Sequence, residues 1–263
     1  MKKLVAYFFL AYALSWCAFI PLALNAQGIL VGVPPWLHLI GAFGPLLAAF
    51  IVTGSTGGWA GVRELLSRMT RWRIGWGWMA IALFSPVVVF LIAAVMARIT
   101  SGTWNDASQF GRVSEIPTLN WLSGWLVWTL TFGLGEETGW RGFALPRLQK
   151  TYSARSASLI LGLLWAGWHI PTFFYNYELS FFSVMAFTVG ILSGTVLLTW
   201  LYNSTGGSVL ATILWHGAYN AAVAGAGGMI PAIVTATVIL TVIVLANRYG
   251  PEAFSHRAKH VIS

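Results

Sequence analysis

Residues 76–97 read WGWMAIALFSPVVVFLIAAVMA (Trp76–Ala97), a run without a single ionisable side chain. As a helix it extends about 33 Å, enough to cross the roughly 30 Å hydrocarbon core of a bilayer. A helix in a soluble domain keeps one polar face, and this run has none. Seven further apolar runs flank it: Leu4–Leu24, Trp36–Thr53, Leu119 to about Leu134, Ala157–Phe174, Phe181–Leu201, Ser208–Val223 and Met229–Ala246. The pattern predicts an all-α, polytopic transmembrane bundle of about eight helices, with residues 1–263 forming a single integral membrane domain. The fourth run flows into a charged segment, Glu136–Lys150, which reads as a kinked amphipathic continuation around Pro146.

Composition agrees. Of the 263 residues, 57% are hydrophobic and 8% charged, against roughly 25% charged in ordinary soluble domains. The net charge of +8 sits in short loops between apolar runs, so it reads as a topology signal and as contact with anionic lipid rather than with nucleic acid. Cys17 is the single cysteine and lies in the first run, which excludes an internal disulfide or a cysteine-based metal site. Met1-Lys2-Lys3 ahead of Leu4–Leu24 has the outline of a signal peptide with a weak cleavage site near Ala26, but the run is long enough to span and is read as retained. Bulky Trp16 before Cys17 argues against a lipoprotein.

With the N-terminus inside, the cytoplasmic segments hold Lys2, Lys3, Arg63, Arg68, Arg71, Arg73, Arg141, Arg147, Lys150, Arg155, Arg248, Arg257 and Lys259. The outer segments hold only Arg98 and Arg112. Thirteen against two predicts N-in/C-in topology and an even number of spans, eight or, with one pair lost, six. The short basic loops fit a bacterial plasma membrane. Within Trp59–Arg73, Glu64, Ser67, Arg68 and Arg71 recur at helical spacing opposite Val62, Leu65, Leu66 and Met69, which predicts a short interfacial helix on the cytoplasmic surface. The outer loop Thr100–Thr118 is polar and is expected to be mobile. Asp106, Arg112 and Glu115 in it receive no chemical role, and there is no internal repeat.

Charge at membrane depth costs at least roughly 2.5–3.5 kcal/mol on insertion and usually marks function. Glu136, Glu137 and Arg141 close the fourth span, His169 lies in the fifth, and His216 and Asn220 lie in the seventh. Glu137 and Arg141 are four apart, share a helix face and can pair. Glu136 points about 100° away and is left as the free carboxylate. Gly133, Gly135, Gly139 and Gly142 permit close backbone approach. His216 and Asn220 share a face and can address one oxygen atom. Pro171 removes the bond to the carbonyl of Gly167, so the helix breaks beside His169, as it would where it lines a cavity. His38, His256 and His260 are read as structural or solvated, and no serine or cysteine sits in a nucleophile motif.

Glu-Glu-x-x-x-Arg at Glu136–Arg141, aromatic-x-x-x-His at Trp165–His169 and His-x-x-x-Asn at His216–Asn220 follow in that order. Together they resemble the three motifs of the CAAX protease and bacteriocin-processing (CPBP) family, also called the Abi or type II CAAX prenyl endopeptidase family, of eight-helix intramembrane proteases. The resemblance covers about Leu119–Val223, and Trp165 stands where many members have phenylalanine. It implies an endopeptidase acting on a membrane-embedded or lipidated peptide. Glu136 would be the general base on a water, assisted by His169. His216 and Asn220 would hold the oxyanion, with Glu137 and Arg141 as a supporting pair. No cofactor is favoured. Zinc held by Glu136, His169 and His216 is the alternative, although the compact His-Glu-x-x-His helix is missing.

Two other functions compete: an ion-coupled transporter using the same polar groups, and a non-proteolytic immunity or scaffold protein. Register poses a difficulty for all catalytic readings. Counted from Trp121, Glu136 lies about 22 Å from the outer end, near the cytoplasmic side, where the active site is expected to open. Counted from Arg155, His169 lies about 21 Å from the inner end, which leaves roughly 13 Å between them in depth.

Overall fold

The computed structural model describes residues 2–262 apart from 103, 105 and 228. Among the described residues every regular element is helical. In chain order these are α1 (Lys2–Ala26), α2 (Leu37–Gly41), α3 (Gly44–Met69), α4 (Trp76–Ser101), α5 (Trp121–Trp128), α6 (Leu134–Gly139), α7 (Leu145–Leu148), α8 (Ala154–Trp168), α9 (Phe181–Ser204), α10 (Val209–Val223) and α11 (Ile230–Tyr249). Asn120, Ser153, Ser180 and Ser208 cap α5, α8, α9 and α10, each side-chain oxygen accepting from backbone N–H groups of the first turn.

Among the described residues six helical segments are long and apolar enough to cross a membrane: Lys2–Ala26, Leu37–Met69, Trp76–Ser101, Ala154–Phe174, Phe181–Ser204 and Ile230–Tyr249. The protein is thus a multi-pass helical membrane bundle. The two remaining apolar runs carry two of the three motifs, and they are built differently. The fourth is divided by π-helical turns at Thr129–Gly133 and Trp140–Ala144 on either side of α6. The seventh, α10, has only 15 residues and is buried along most of its length against α4, α5, α6 and α9. Protein surrounds α6 and α10, so neither needs an uninterrupted apolar surface, whereas α5 leaves Trp121, Leu122 and Leu126 exposed.

The predicted interfacial helix is not a separate element. It is the far end of α3, beyond a break at Gly58, whose φ of 56° and ψ of −156° suit glycine alone. Nor is its polar face solvated throughout, since Arg68 is buried on the same side as Leu65. Arg68 pairs with Glu64 at 2.7 Å and donates to the Gly142 carbonyl at 2.8 Å and the Tyr202 hydroxyl at 3.1 Å. A guanidinium can be buried here because three acceptors surround it.

The loop Thr100–Thr118, of which residues 103 and 105 lie outside the described ones, does not hang free either. Val113 is buried, and Ile116 and Leu119 pack beside it against Leu39, Ala42 and Phe132. The Gly111 N–H donates to the Ala221 carbonyl at 2.7 Å. The C-terminal segment is likewise docked. Buried Gln149 and Asn203 exchange side-chain hydrogen bonds at 3.1 and 2.8 Å. Gln149 also donates to the His260 carbonyl, and the His260 N–H donates to Asn203. His260 is therefore half-buried rather than solvated, and His256 stacks on Trp78 with ring centroids 5.9 Å apart.

Candidate active site

The two π-helical turns hold α6 between them, and π turns concentrate at functional positions because the extra residue re-aims the side chains that follow. Close approach is set by glycine. A Cβ on Gly217 of α10 would meet Thr129 Oγ1 at 2.2 Å, and one on Gly139 would meet the Tyr7 hydroxyl at 2.3 Å. With hydrogen in those places, α6 lies directly between α10 and the α1–α3 pair.

Glu137 and Arg141 pair as their spacing predicts, Nη1 to Oε1 at 2.8 Å, with both side chains fully buried. The same Oε1 accepts from His216 Nδ1 at 2.9 Å, a contact no spacing in the sequence announces. Glu136 is not left free. Its Oε2 accepts the indole N–H of Trp140 at 3.1 Å and also that of Trp165. Its Oε1 makes no hydrogen bond among the described residues. Two neutral donors satisfy half of a carboxylate in an apolar surround and point its other oxygen into open space.

Trp165 is the hub of the arrangement. Beyond Glu136, its ring carries the Arg141 guanidinium at 4.7 Å and lies edge-on to His216 at 5.5 Å, and its carbonyl accepts from His169 Nδ1 at 2.8 Å. Because a carbonyl and a carboxylate only accept, His169 and His216 both carry a proton on Nδ1, and Nε2 is the nitrogen each leaves for other partners. His169 ends α8 at the junction with the 3₁₀ turn Ile170–Phe174, where Pro171 removes the next backbone donor.

Glu136, Trp165, His169, His216 and Asn220 line one cavity of about 1260 Å³. Apolar residues of α9 and α11 form one side of its wall, and Gln109, Arg112 and Glu115 also line it. Asn220 has no side-chain partner among the described residues and borders this space. The depth mismatch between Glu136 and His169 is thereby removed. The residue level with Glu136 is Trp165, and the long indole reaches across to it. His169 lies one turn farther along α8 and faces the same cavity. The straight-helix count did not allow for the π turns on either side of α6.

No three His, Cys, Asp or Glu side chains converge as metal ligands among the described residues. Two features escaped the reading of the sequence. Trp140 lies four residues after Glu136, an i, i+4 spacing that could have identified it as a donor. The His38 and Tyr175 pair, 2.7 Å apart between Nδ1 and the hydroxyl, joins residues 137 positions apart and left no local signal. Glu178 is exposed and takes no part.

Residues 118–222 match the family model described as type II CAAX prenyl endopeptidase, Rce1-like. This segment is similar to the Rce1-like CAAX-protease family. The Rce1-like segment holds all six motif residues and the two π turns. Over 88 residues the chain is 35% identical to a Methanococcus maripaludis protein named CAAX prenyl protease 2. That similarity spans 31% of this chain and 32% of the relative's length. Outside the Rce1-like segment lie α1 to α4 and α11, including the α11 face that closes one side of the cavity.

Proposed function

We propose that the protein is an intramembrane endopeptidase that hydrolyses a peptide bond in a membrane-embedded or lipidated peptide. The observation that carries this reading is the convergence of Glu136, His169, His216 and Asn220, from three separate segments, on one cavity buried in a helical membrane bundle.

In this mechanism the unpaired Oε1 of Glu136 takes a proton from a water, and Nε2 of His169 accepts from the same water and orients it. The water oxygen attacks the scissile carbonyl. Asn220 donates an amide N–H to the developing oxyanion. His216 can do so only when Nε2 is protonated as well, and the Glu137 carboxylate compensates that charge. The proton held by Glu136 then passes to the leaving amine. Glu137 and Arg141 hold His216 in place. A zinc-dependent version would draw on Glu136, His169 and His216 to polarise the carbonyl and activate the water. These three do not form a convergent donor set among the described residues, so no step is assigned to a metal.

The test is to incubate the purified protein with a library of hydrophobic and prenylated peptides, beside Glu136→Gln and Glu136→Ala. Cleavage is expected from the wild type alone, and cleavage that persists in both variants refutes the assignment. Metal analysis and chelator treatment of the active protein separate the two versions of the chemistry.

A further inference from the structure

His38 stands on α2, a five-residue helix between α1 and α3. The carbonyls of Pro34 and Pro35 accept the N–H groups of Leu37 and His38 at 3.1 and 3.0 Å, which sets the start of this helix. Its far end is held against α1. The Ser15 hydroxyl donates to the Gly41 carbonyl at 2.7 Å, and a Cβ on Gly41 would strike the Phe19 ring. With α2 fixed in this way, the His38 imidazole lies among Phe19, Phe132 and Tyr175, at ring-centroid distances of 5.6, 5.1 and 5.6 Å. It lines the same cavity as Glu136, His169 and His216.

The Tyr175 hydroxyl lies 2.7 Å from Nδ1 of His38. A phenol is the better donor of this pair and a bare imidazole nitrogen the better acceptor, and the half-buried hydroxyl has no other partner among the described residues. A phenol proton left without an acceptor here would cost more than one given to Nδ1. With Nδ1 accepting, neutral His38 carries its own proton on Nε2. That nitrogen makes no hydrogen bond among the described residues and is not sealed within the packing. His169 is the reverse case, since its Nδ1 donates to the Trp165 carbonyl. One neutral imidazole thus offers the cavity a lone pair and the other an N–H. A single turn positions both. The Thr172 hydroxyl donates to the His169 carbonyl at 2.7 Å, and the Thr172 carbonyl accepts the Tyr175 N–H at 3.3 Å.

We propose that His38 is a further substrate-binding residue, which donates its Nε2–H to a carbonyl oxygen of the bound peptide, and that Tyr175 is the positioning residue that holds this tautomer. The peptide part rests on the peptidase reading above; the tautomer part does not. An N–H in an aromatic wall selects an acceptor, and an extended peptide presents a carbonyl at every residue. This donor is neutral, so unlike His216 it needs no second proton. Packing alone would not call for it. A leucine or phenylalanine among Phe19, Phe132 and Tyr175 would fill position 38 without taking an imidazole and a phenol out of water.

The experiment has two arms, both on the full chain purified in detergent. In the first, histidines labelled with nitrogen-15 are read by NMR at about pH 8, above the histidine range, and the His38→Gln spectrum assigns His38 by difference. The wild type is expected to show a protonated Nε2 and a bare Nδ1, and Tyr175→Phe to move the Nδ1 resonance by removing its donor. A proton on Nδ1 in the wild type, or an Nδ1 resonance that Tyr175→Phe leaves in place, overturns the inference. The second arm measures steady-state cleavage of a hydrophobic peptide. His38→Phe is expected to raise KM about two- to tenfold with kcat little changed, the loss of one hydrogen bond made in the bound state. His38→Gln, whose amide also donates, should recover part of the loss. An unchanged KM in His38→Phe, or a KM equally high in His38→Gln, overturns the substrate contact. A wild type that cleaves no peptide while its NMR spectrum is as expected refutes the peptidase reading, and the peptide contact with it, and leaves the tautomer standing.

Discussion

Trp165 donates its indole N–H to Glu136 across 29 residues of sequence. Trp140, one turn along from Glu136, donates to the same oxygen. A hydrogen bond to a charged group contributes about 1.5–3 kcal/mol. Trp140→Phe and Trp165→Phe are therefore each expected to lower kcat roughly ten- to a hundredfold. The double variant should lose more than the product of the two, since it leaves Oε2 without a donor. KM should change little. Steady-state kinetics on a cleaved peptide checks this, and a large rise in KM with unchanged kcat would contradict the positioning role.

The Glu137–Arg141 pair should dominate stability locally. Removing one member of a buried pair leaves an uncompensated charge and costs about 3–5 kcal/mol. Arg141→Met is expected to lower the thermal midpoint of the detergent-purified protein strongly, and Glu137→Gln combined with Arg141→Met should recover part of the loss. If the double variant is no more stable than Arg141→Met, the cost does not arise from stranded charge.

Gly217 should tolerate no side chain. Its Cβ would fall 2.6 Å from the Thr129 Cα as well as 2.2 Å from the hydroxyl, and backbone cannot rotate away. Gly217→Ala is expected to destabilise by about 1–3 kcal/mol, as overpacking does, and to reduce activity by parting α10 from the first π turn. Gly77→Ala, at the start of α4 with nothing within 4 Å, should be neutral. Equal midpoints for the two variants would refute the contact.

His260 gives the C-terminal segment a pH dependence. Burial, and after it the charges of Arg68 and Arg71, hold its imidazole below the usual histidine range. A folded-state value below the unfolded one means that docking is fully stable above the unfolded value of about 6.5 and is lost as the pH falls through the folded one. Limited trypsin cleavage at Arg257 and Lys259 should therefore rise on acidification below about pH 6.5. His260→Phe should abolish that rise, and a rise that persists in the variant would assign it elsewhere.

The fold was legible where lipid imposes it. Trp76–Ala97 and the other long runs can be read from length and the lack of charge. The Glu137–Arg141 pair and the shared face of His216 and Asn220 could be read from four-residue spacing. What could not be read are the relations that span helices. The Glu137–His216 contact, the indole that carries Glu136 and the common level of Glu136 and Trp165 depend on π turns, and a π turn leaves no mark in hydropathy. Arg68 was misread because a cation at helical spacing with other polar residues looks solvated until Gly142 and Tyr202 are placed beside it.

Arg68 grips a main-chain oxygen. The carbonyl of Gly142 belongs to the second π turn, one residue beyond Arg141, and it exists whatever side chain stands at position 142. Substitution there could crowd Leu65, but could not take away the acceptor. The hydrogen bond between the far end of α3 and the turn behind the site thus depends on the identity of a single side chain. Mutation can sever it only from the α3 side.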